Sequence, residues 1–257
     1  MQSLYNYDIL FNILLQLDSY TLKTFEMTHK SSKLLIQNIL NDPYFLSLKE
    51  QQLEIYKNQL KFNVLSLTIN MATLNDTLSN GVFINANTIL TLGENLYNIE
   101  SHKALQKATS DNYPLILDSM NIPIPFYKKT PNYQEYNFGV LFLKNNIDVI
   151  PLDLQLFKKN ELVNLFMYCY PAHFDPLKGL AAKDLVEHQL NVINITHDEI
   201  FYQPFYDSGT AGAPIFMKDK YGIYLVGLHY GYATSNKSVG IRVTPKMIEF
   251  VDKNLNR

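Results

Sequence analysis

Few side chains in this 257-residue sequence have the type and spacing that covalent or metal chemistry requires. The clearest candidate is residues 206–216, where Ser208 and Thr210 flank Ala211 between two glycines. The methyl group of Ala211 cannot attack a carbonyl carbon, so the central position of this segment has no nucleophile. Four histidines lie in predicted loops without the spacing of metal ligands, and neither a metal nor another cofactor is predicted. They are His102, His173, His188 and His197.

The second half of this segment, Gly209-Thr-Ala-Gly-Ala-Pro-Ile-Phe216, resembles the Gly-x-Ser-Gly-x-Pro-hydrophobic loop of trypsin-like serine peptidases. In that family two glycines allow a tight turn, so that two backbone N–H groups form an oxyanion hole. The resemblance sets Ala211 at the place of the serine nucleophile. It implies that Gly209, Thr210 and Ala211 keep the shape of an oxyanion loop without its chemistry.

Two further segments resemble the parts of this family that carry the rest of its triad. Residues 81–96 resemble the strand–turn–strand before a Thr-Ala-Ala-His turn, which sets Glu94 at the general-base histidine. Residues 136–143 resemble a Tyr-Asp-Ile-Ala-Leu-Leu-x-Leu strand, which sets Asn137 at the orienting aspartate. The triad works as one hydrogen-bonded unit, so the resemblance implies that all three members are replaced. A laboratory Ser→Ala change would account for Ala211 alone.

The C-terminal third resembles the final hairpin of glutamyl-endopeptidase-like members of the family. There a strand that ends in Gly-x-His, here Gly227 and His229, lines the primary specificity pocket and pairs with the bound peptide. His229 is therefore either a residue that faces an acidic ligand side chain or a barrel histidine bonded to a neighbour. The second interpretation is favoured, because no other pocket residue is identified. The whole resemblance spans residues 64–252.

The first 60 residues have apolar side chains at helical spacing and no glycine. Their pattern resembles an F-box, a three-helix unit that docks on a Skp1-type adaptor, although its usual Leu-Pro opening is Tyr5-Asn6 here. The alternative is that these side chains form the core of the helical module itself or pack against the barrel. The implied partner face consists of Ile9, Leu10, Ile13, Leu14, Leu17 and Leu22.

From Val64 onward the apolar pattern becomes that of short strands, among them residues 149–154 and 190–195, and a helix is predicted from Pro245. Short strands with many turns predict a barrel or sandwich. The resemblance narrows this to a mainly β fold with two six-stranded antiparallel barrels and a C-terminal helix. The predicted domains are a helical F-box-like module at 1–62 and a trypsin-like domain at 63–257.

The overall composition is that of an ordinary soluble protein, with 47% hydrophobic residues, 18% charged residues and a net charge of −2. Such a charge predicts binding to neither nucleic acid nor an anionic membrane. No signal-peptide pattern and no apolar run of about 20 residues is present. The single cysteine, Cys169, lies in an apolar run and is expected in the core. A cytoplasmic or nuclear location is therefore expected.

Three functions remain open from the sequence. The leading hypothesis is an inactive trypsin-like pseudoprotease that binds a protein or peptide and that serves, through its helical module, as an adaptor of a Skp1-containing ubiquitin ligase. The second is a serine-type peptidase that uses non-standard residues or carries a changed nucleophile. The third is a structural pseudoprotease that assembles with itself or with another protein.

Overall fold

The computed structural model describes residues 11–15, 33–71, 77–156, 164–175, 179–204, 207–219, 221–234 and 236–255. The chain divides into two compact units, Met1–Asn58 with Lys218–Ile223 and Gln59–Met217 with Tyr224–Arg257. The predicted boundary between residues 62 and 63 stays a prediction. The helices are residues 11–15, α1 (Lys33–Leu40), α2 (Pro43–Leu60), α3 (Ile124–Tyr127) and α4 (Pro245–Leu255). Of these described helices, none has both the length and the apolar character needed to cross a bilayer.

The described residues of the first unit up to Asn58 are mainly helical, and Lys218–Ile223 adds a turn between two strands. α2 begins at a cap: Asp42 Oδ1 accepts the N–H groups of Tyr44 at 2.8 Å and Phe45 at 3.0 Å. Pro43, at the first helical position, has no N–H group that needs a partner. Asp42 therefore satisfies two of the free donors at this helix end. One core cluster of the unit consists of the buried side chains of Leu14, Ile36, Ile39, Leu40 and Phe45.

The second unit contains the described strands. They are β1 (Val64–Asn70), β2 (Thr77–Asn85), β3 (Thr88–Thr91), β4 (Tyr97–Asn98), β5 (Lys103–Ala104), β6 (Lys107–Thr109), β7 (Leu117–Asn121), β8 (Gly139–Leu143), β9 (Asn164–Cys169), β10 (Ala172–Asp175), β11 (Gly179–Ala182), β12 (Val186–Leu190), β13 (Val192–Ile195), β14 (Glu199–Tyr202), β15 (Pro214–Lys218), β16 (Ile223–Thr234) and β17 (Lys237–Arg242).

The first sheet is antiparallel, with strand order β6-β1-β2-β3-β8-β7. Alternate residues of a strand point to the same face, so the Leu65, Leu67 and Ile69 side chains of β1 face one core. This core also contains buried residues from the neighbouring strands, including Phe83 and Leu141. The strands of this sheet therefore share one hydrophobic core.

The second sheet has the order β12-β9-β15-β16-β17-β14-β13. Its two edge strands follow each other in the chain, and only Asn191 lies between Leu190 of β12 and Val192 of β13. Edge strands joined by one residue must lie close together, so this sheet is curled into a nearly closed barrel. Together the two sheets form a trypsin-like double barrel, which confirms the predicted fold class.

Two strand predictions differ from the structure in detail. The predicted strand at 190–195 is divided at Asn191, so the second sheet has seven described strands rather than six. The predicted strand at 149–154 is not formed. Instead, Asn63 Nδ2 donates to Ile150 O at 2.7 Å, and Leu152 N–H donates to Ile84 O at 3.0 Å. These two hydrogen bonds bind Ile150 O and Leu152 N–H outside any β-sheet pairing. The segment forms one isolated β-bridge, between Leu154 and Leu225.

The C-terminal helix α4 was predicted from Pro245. Thr244 Oγ1 accepts the N–H of Met247 at 3.3 Å and so caps the helix start. Met247 and Val251 are buried on one face of α4. A helix with one apolar face of this kind packs on the sheet residues beneath it.

Candidate functional site

Residues 209–212 form a tight turn before β15. Gly209 has a φ of +75° and Gly212 a φ of +89°, in the region that strains other L-residues. A Cβ atom on Gly212 would lie 2.2 Å from Asn80 O and 2.6 Å from Thr91 Oγ1. Glycine is therefore required at 212 by the backbone angle and by the close approach of β2.

Asn80, fully buried on β2, fixes the shape of this turn. Its backbone N–H donates to Ala211 O at 2.7 Å, and its Nδ2 donates to Gly209 O at 2.8 Å. The same amide exchanges hydrogen bonds with Tyr170: Nδ2 donates to Tyr170 O at 3.1 Å and Oδ1 accepts Tyr170 N–H at 2.7 Å. One side chain of the first sheet thus joins the end of β9 to the turn.

Two more buried polar residues extend this network. Thr91 Oγ1 donates to Asn80 O at 2.7 Å. Asn95 Nδ2 donates to Thr91 Oγ1 at 2.9 Å and to Ala211 O at 3.4 Å. Connected buried hydrogen bonds of this kind make a site rigid. The 3-10 turn Gly93–Asn95 is in this way tied to the Ala211 carbonyl.

Glu94 and Asn137 bind each other. The backbone N–H of Glu94 donates to Asn137 Oδ1 at 2.9 Å, and Asn137 Nδ2 donates to Glu94 Oε2 at 3.3 Å. An aspartate at 137 would set two repelling carboxylates together, whereas the amide donates to the carboxylate. The two residues are therefore electrostatically matched. Burial raises the pKa of the Glu94 carboxyl, and the hydrogen bond from Asn137 opposes this rise.

The arrangement contains no activated nucleophile at the predicted position. Ala211 ends in a methyl group, and its carbonyl is linked through Asn95 to the turn that carries Glu94. Thr210 is buried, and its Oγ1 donates to Asp207 O at 3.0 Å. Ser208, the other flanking hydroxyl residue, is exposed. A carboxylate, an amide and a methyl group offer no route to an acyl-enzyme.

His229 lies inside the second barrel, only 3% exposed. Its Nδ1 is hydrogen-bonded to the hydroxyl of the buried Tyr202. Burial lowers the pKa of His229 to about 4, so the imidazole is neutral at physiological pH. Its backbone pairs with the turn, because His229 N–H donates to Ala213 O at 2.7 Å and His229 O accepts Gly212 N–H at 2.8 Å. The other residue of the predicted motif, Gly227, pairs with Arg242 of β17.

A cavity of about 220 Å³ lies next to Asn137. Thr196, Glu199 and Tyr230 of the second barrel contribute to its lining, together with Asn132 and Gln134 from the segment before β8. Tyr230 directly follows His229 on β16 and is 36% exposed. The cleft beside the candidate site is therefore open and partly polar.

The four other histidines that the structure describes form no metal site. His102 Nδ1 is bonded to the hydroxyl of Tyr97, and His197 Nδ1 to Asp198. His173 lies on β10 and His188 on β12. Within the described ranges, no three His, Cys, Asp or Glu side chains are grouped to hold a metal ion.

The predicted F-box-like face is only partly described. Ile9, Leu10, Leu17 and Leu22 lie outside the described residues. Of the other two, Ile13 is 46% exposed, whereas Leu14 is fully buried. One of the two described side chains is thus available to a partner, and the other belongs to the helical core.

Four polar residues of the site were not predicted from the sequence, namely Asn80, Thr91, Asn95 and Tyr202. Asn80 lies on the same face of β2 as Leu78 and Val82, and Thr91 and Asn95 are four residues apart on either side of Glu94. A buried polar residue in an apolar strand is the one local signal that could have identified Asn80. Tyr202 has no such signal, because tyrosine is common in barrel strands.

No protein-family model and no curated protein matches this chain. Solved structures do match it. A Glu endopeptidase in complex with MPD has a TM-score of 0.61 at 19% identity, over 77% of this chain and 92% of its own. An inactivated protease paralogue of the scabies mite has a TM-score of 0.54 at 14% identity, over 77% of this chain and 96% of its own. A thermostable serine protease from an extremophilic microorganism has a TM-score of 0.57 at 11% identity, over 74% of this chain and 95% of its own. Identities this low establish a shared fold and leave activity open.

The close contact at Gly212 predicts a large stability loss in Gly212→Ala. The added Cβ would overlap Asn80 O and Thr91 Oγ1 in a backbone region that alanine avoids. We expect the free energy of unfolding to fall by about 3 kcal/mol. Gly231→Ala is the matched control, because Gly231 also has a positive φ, +151°, but a Cβ there meets no atom within 4 Å. Equal losses in urea unfolding of the two variants would contradict the predicted clash.

The raised pKa of Glu94 predicts a pH-dependent gain of stability in Glu94→Gln. A carboxyl whose pKa is higher in the folded than in the unfolded protein favours folding at low pH, and this contribution is lost as pH rises through the folded pKa. Glutamine does not ionise, so the variant should melt at a higher temperature than the parent at pH 7, with no gain below about pH 4. Thermal melts from pH 3 to 8 measure this, with the exposed Glu100→Gln as control. A gain independent of pH would contradict the assignment.

Proposed function

The chain has the fold of trypsin-like serine proteases, and on this basis we propose that it is a catalytically inactive member that binds a protein or peptide. One observation carries the proposal: the turn at Gly209–Gly212 is held by a buried hydrogen-bond network, and the side chain at its centre is a methyl group. A scaffold of this kind keeps its recognition surface, while the group that would open a peptide bond is absent.

The mutual bonding of Glu94 and Asn137 supports the same proposal. A general base must reach the proton that it removes. Asn137 Nδ2 instead binds Glu94 Oε2, and no nucleophile stands at Ala211 to supply a proton. Replacement of one triad position would be compatible with a single chance or laboratory change. Replacement of three positions by mutually compatible side chains favours loss of catalysis in the natural protein.

The last part of β16 supports peptide binding. His229 pairs with the turn just before β15, and β16 continues beyond it to Thr234. An extended peptide can add to such an edge through backbone hydrogen bonds, which require no triad. Tyr230 and Tyr232, 36% and 50% exposed, provide aromatic surface on this segment. Aromatic side chains of this kind commonly anchor bound partners.

The neighbouring structures are compatible with the proposal and do not decide it. The scabies mite protein is described as an inactivated protease paralogue, so this fold does occur without activity. The other two are described as an endopeptidase and a serine protease. The proposal therefore depends on the residues at positions 94, 137 and 211 of this chain.

The proposal predicts that the protein does not react with a fluorophosphonate probe, which labels activated serines. Ala211→Ser alone should also remain unlabelled, because Glu94 and Asn137 cannot activate the new hydroxyl. The triple variant Glu94→His, Asn137→Asp, Ala211→Ser restores all three groups on the retained turn and should be labelled. Gel fluorescence and cleavage of fluorogenic peptides measure these outcomes.

Labelling of the unmodified protein would support the serine-type peptidase instead. Labelling of Ala211→Ser alone would show that an active enzyme had lost only its nucleophile. Either result would end the pseudoprotease proposal.

The proposal also predicts that peptide binding depends on the β16 edge. Tyr232→Ala should weaken binding of an N-acetylated tetrapeptide library about tenfold or more, the loss typical of an aromatic anchor. Tyr127→Ala is the matched control, since Tyr127 is 51% exposed and lies on α3 rather than on β16. Bound peptides are measured by ultrafiltration and mass spectrometry. Equal losses in both variants would argue against this edge.

We extend the proposal to the helical unit, as an F-box-like adaptor that presents the bound target to a Skp1-containing ubiquitin ligase. The support is the resemblance of its sequence and the exposed side chain of Ile13. Such a role requires a location inside the cell. If the unit only assembles copies of the chain, the third hypothesis applies.

The adaptor role predicts binding of a Skp1-type protein to the intact chain. Ile13→Asp should weaken this binding about tenfold or more, because a buried charge is costly at an apolar interface. Ile55→Asp is the control, as Ile55 is 62% exposed on α2 and is not in the predicted face. A pull-down with purified Skp1-type protein measures both. Absence of binding by the unmodified chain would refute the adaptor role and leave peptide binding untouched.

A further inference from the structure

The turn between β15 and β16 belongs to the first, helical unit. The two strands lie in the second unit apart from their end residues, whereas Lys218–Ile223 groups with Met1–Asn58. Asp219 orders this turn, because its Oδ1 accepts the N–H groups of Tyr221 at 2.7 Å and Gly222 at 2.9 Å. An aspartate that binds backbone donors two and three residues further on is a common turn device. The backbone that carries Tyr221 is therefore fixed.

Tyr221 contributes to the interior of the helical unit. Its partly buried side chain packs against the core cluster that contains Ile36, Ile39 and Phe45. A segment as short as Met1–Asn58 is near the lower limit of what a single hydrophobic core can stabilise. An aromatic side chain that the β15–β16 turn adds to this core is therefore a substantial contribution.

Lys218 binds two carboxylates of α2. Its Nζ donates to Glu50 Oε1 and to Glu54 Oε1, each at 2.6 Å. Glu50 and Glu54 lie one helical turn apart, where like charges repel each other and weaken a helix. The ammonium group of Lys218 offsets this repulsion. Burial opposes the charge of Lys218, but its hydrogen bonds to the two carboxylates outweigh burial and raise the pKa of the ammonium group.

The two contacts differ in physical character. Glu50 and Glu54 are exposed, and an ion pair with an exposed carboxylate contributes little by itself and is screened by salt. Two such pairs converge on Lys218, however, and the apolar contact of Tyr221 lies only three residues along the chain. One short turn is thus bound both to α2 and to the core cluster.

We propose that the β15–β16 turn anchors the helical unit, so that this unit is ordered only while the strands of the second unit hold the turn. The helical unit is then a conditional module rather than an independent one. For the adaptor role this means that the unit offers its partner face only in a chain whose barrels are folded. This consequence rests on the proposed function, whereas the anchor itself can be tested without a partner.

The test is hydrogen exchange of the full chain, measured by mass spectrometry. Lys218→Glu places a third carboxylate beside Glu50 and Glu54. We expect the amides of α2 to exchange at least about fivefold faster, because the attraction of two ion pairs is replaced by repulsion. The amides of β9, whose side chains lie in the core of the second barrel, should exchange at the parent's rate.

A double-mutant cycle separates the ion pairs from a general loss of stability. Adding Glu50→Lys to Lys218→Glu restores an attractive pair and should recover most of the protection of α2, and Glu50→Lys alone completes the cycle. Lys246→Glu is the matched control. Lys246 also binds a carboxylate at 2.6 Å, that of Glu135, but it lies on α4 of the second unit. Its replacement should leave the exchange of α2 unchanged.

Tyr221→Ala tests the apolar contact without changing a charge. The amides of α1, which carries Ile36 and Ile39 of the core cluster, should exchange about tenfold faster or more, because a packed aromatic side chain is removed. This effect should be the same at low salt and at about 1 M sodium chloride, whereas the effect of Lys218→Glu should shrink at high salt.

The outcomes distinguish the anchor from the proposed function. Unchanged exchange of α2 in Lys218→Glu, or of α1 in Tyr221→Ala, would overturn the anchor. Equally faster exchange of the helices and of β9 would also overturn it, because the variants would then destabilise the whole chain. Absence of Skp1-type binding would refute the adaptor role and leave the anchor standing, since exchange is measured on the chain alone.

Discussion

The shape of the candidate site depends on one buried amide, that of Asn80. An unsatisfied polar group in the interior costs more than the net contribution of a typical hydrogen bond. The side chain of Asn80 meets this constraint by binding Tyr170 and Gly209, while its backbone binds Ala211 and Thr91. If the turn moved, several of these groups would lose their partners together. The turn is therefore held in one conformation, because any other would leave buried polar groups without hydrogen bonds.

The same constraint explains how the turn keeps its shape without a nucleophilic side chain at position 211. Ala211 contributes a carbonyl to the network, and any residue has a carbonyl. Its side chain carries no structural bond. Glu94 and Asn137 bind each other through two hydrogen bonds. The shape of the turn thus depends on the backbone of Ala211 and does not depend on the side chain at this position.

The β class and the tight loop could be predicted from local patterns in the sequence, and the double barrel from the resemblance of the motifs. The apolar alternation of β1 and the glycines at 209 and 212 express requirements of single strands and single turns. The network could not be predicted, since Asn80 and Gly209 are 129 residues apart and only the packed barrels bring them together. The division of the predicted strand at Asn191 was missed for the same reason: only closure of the sheet requires it. Ile150 and Leu152 have the composition of a strand, and their backbone groups are bound elsewhere.

The bonds that hold the turn are all amide, hydroxyl and carbonyl contacts. None of them involves sulfur, and the sequence has a single cysteine, Cys169, which is buried. Burial raises the pKa of its thiol to about 12, so the thiol stays protonated at physiological pH. No bond that holds the loop is therefore made or broken by thiol–disulfide exchange, and the turn should keep the same geometry in reducing and oxidising surroundings.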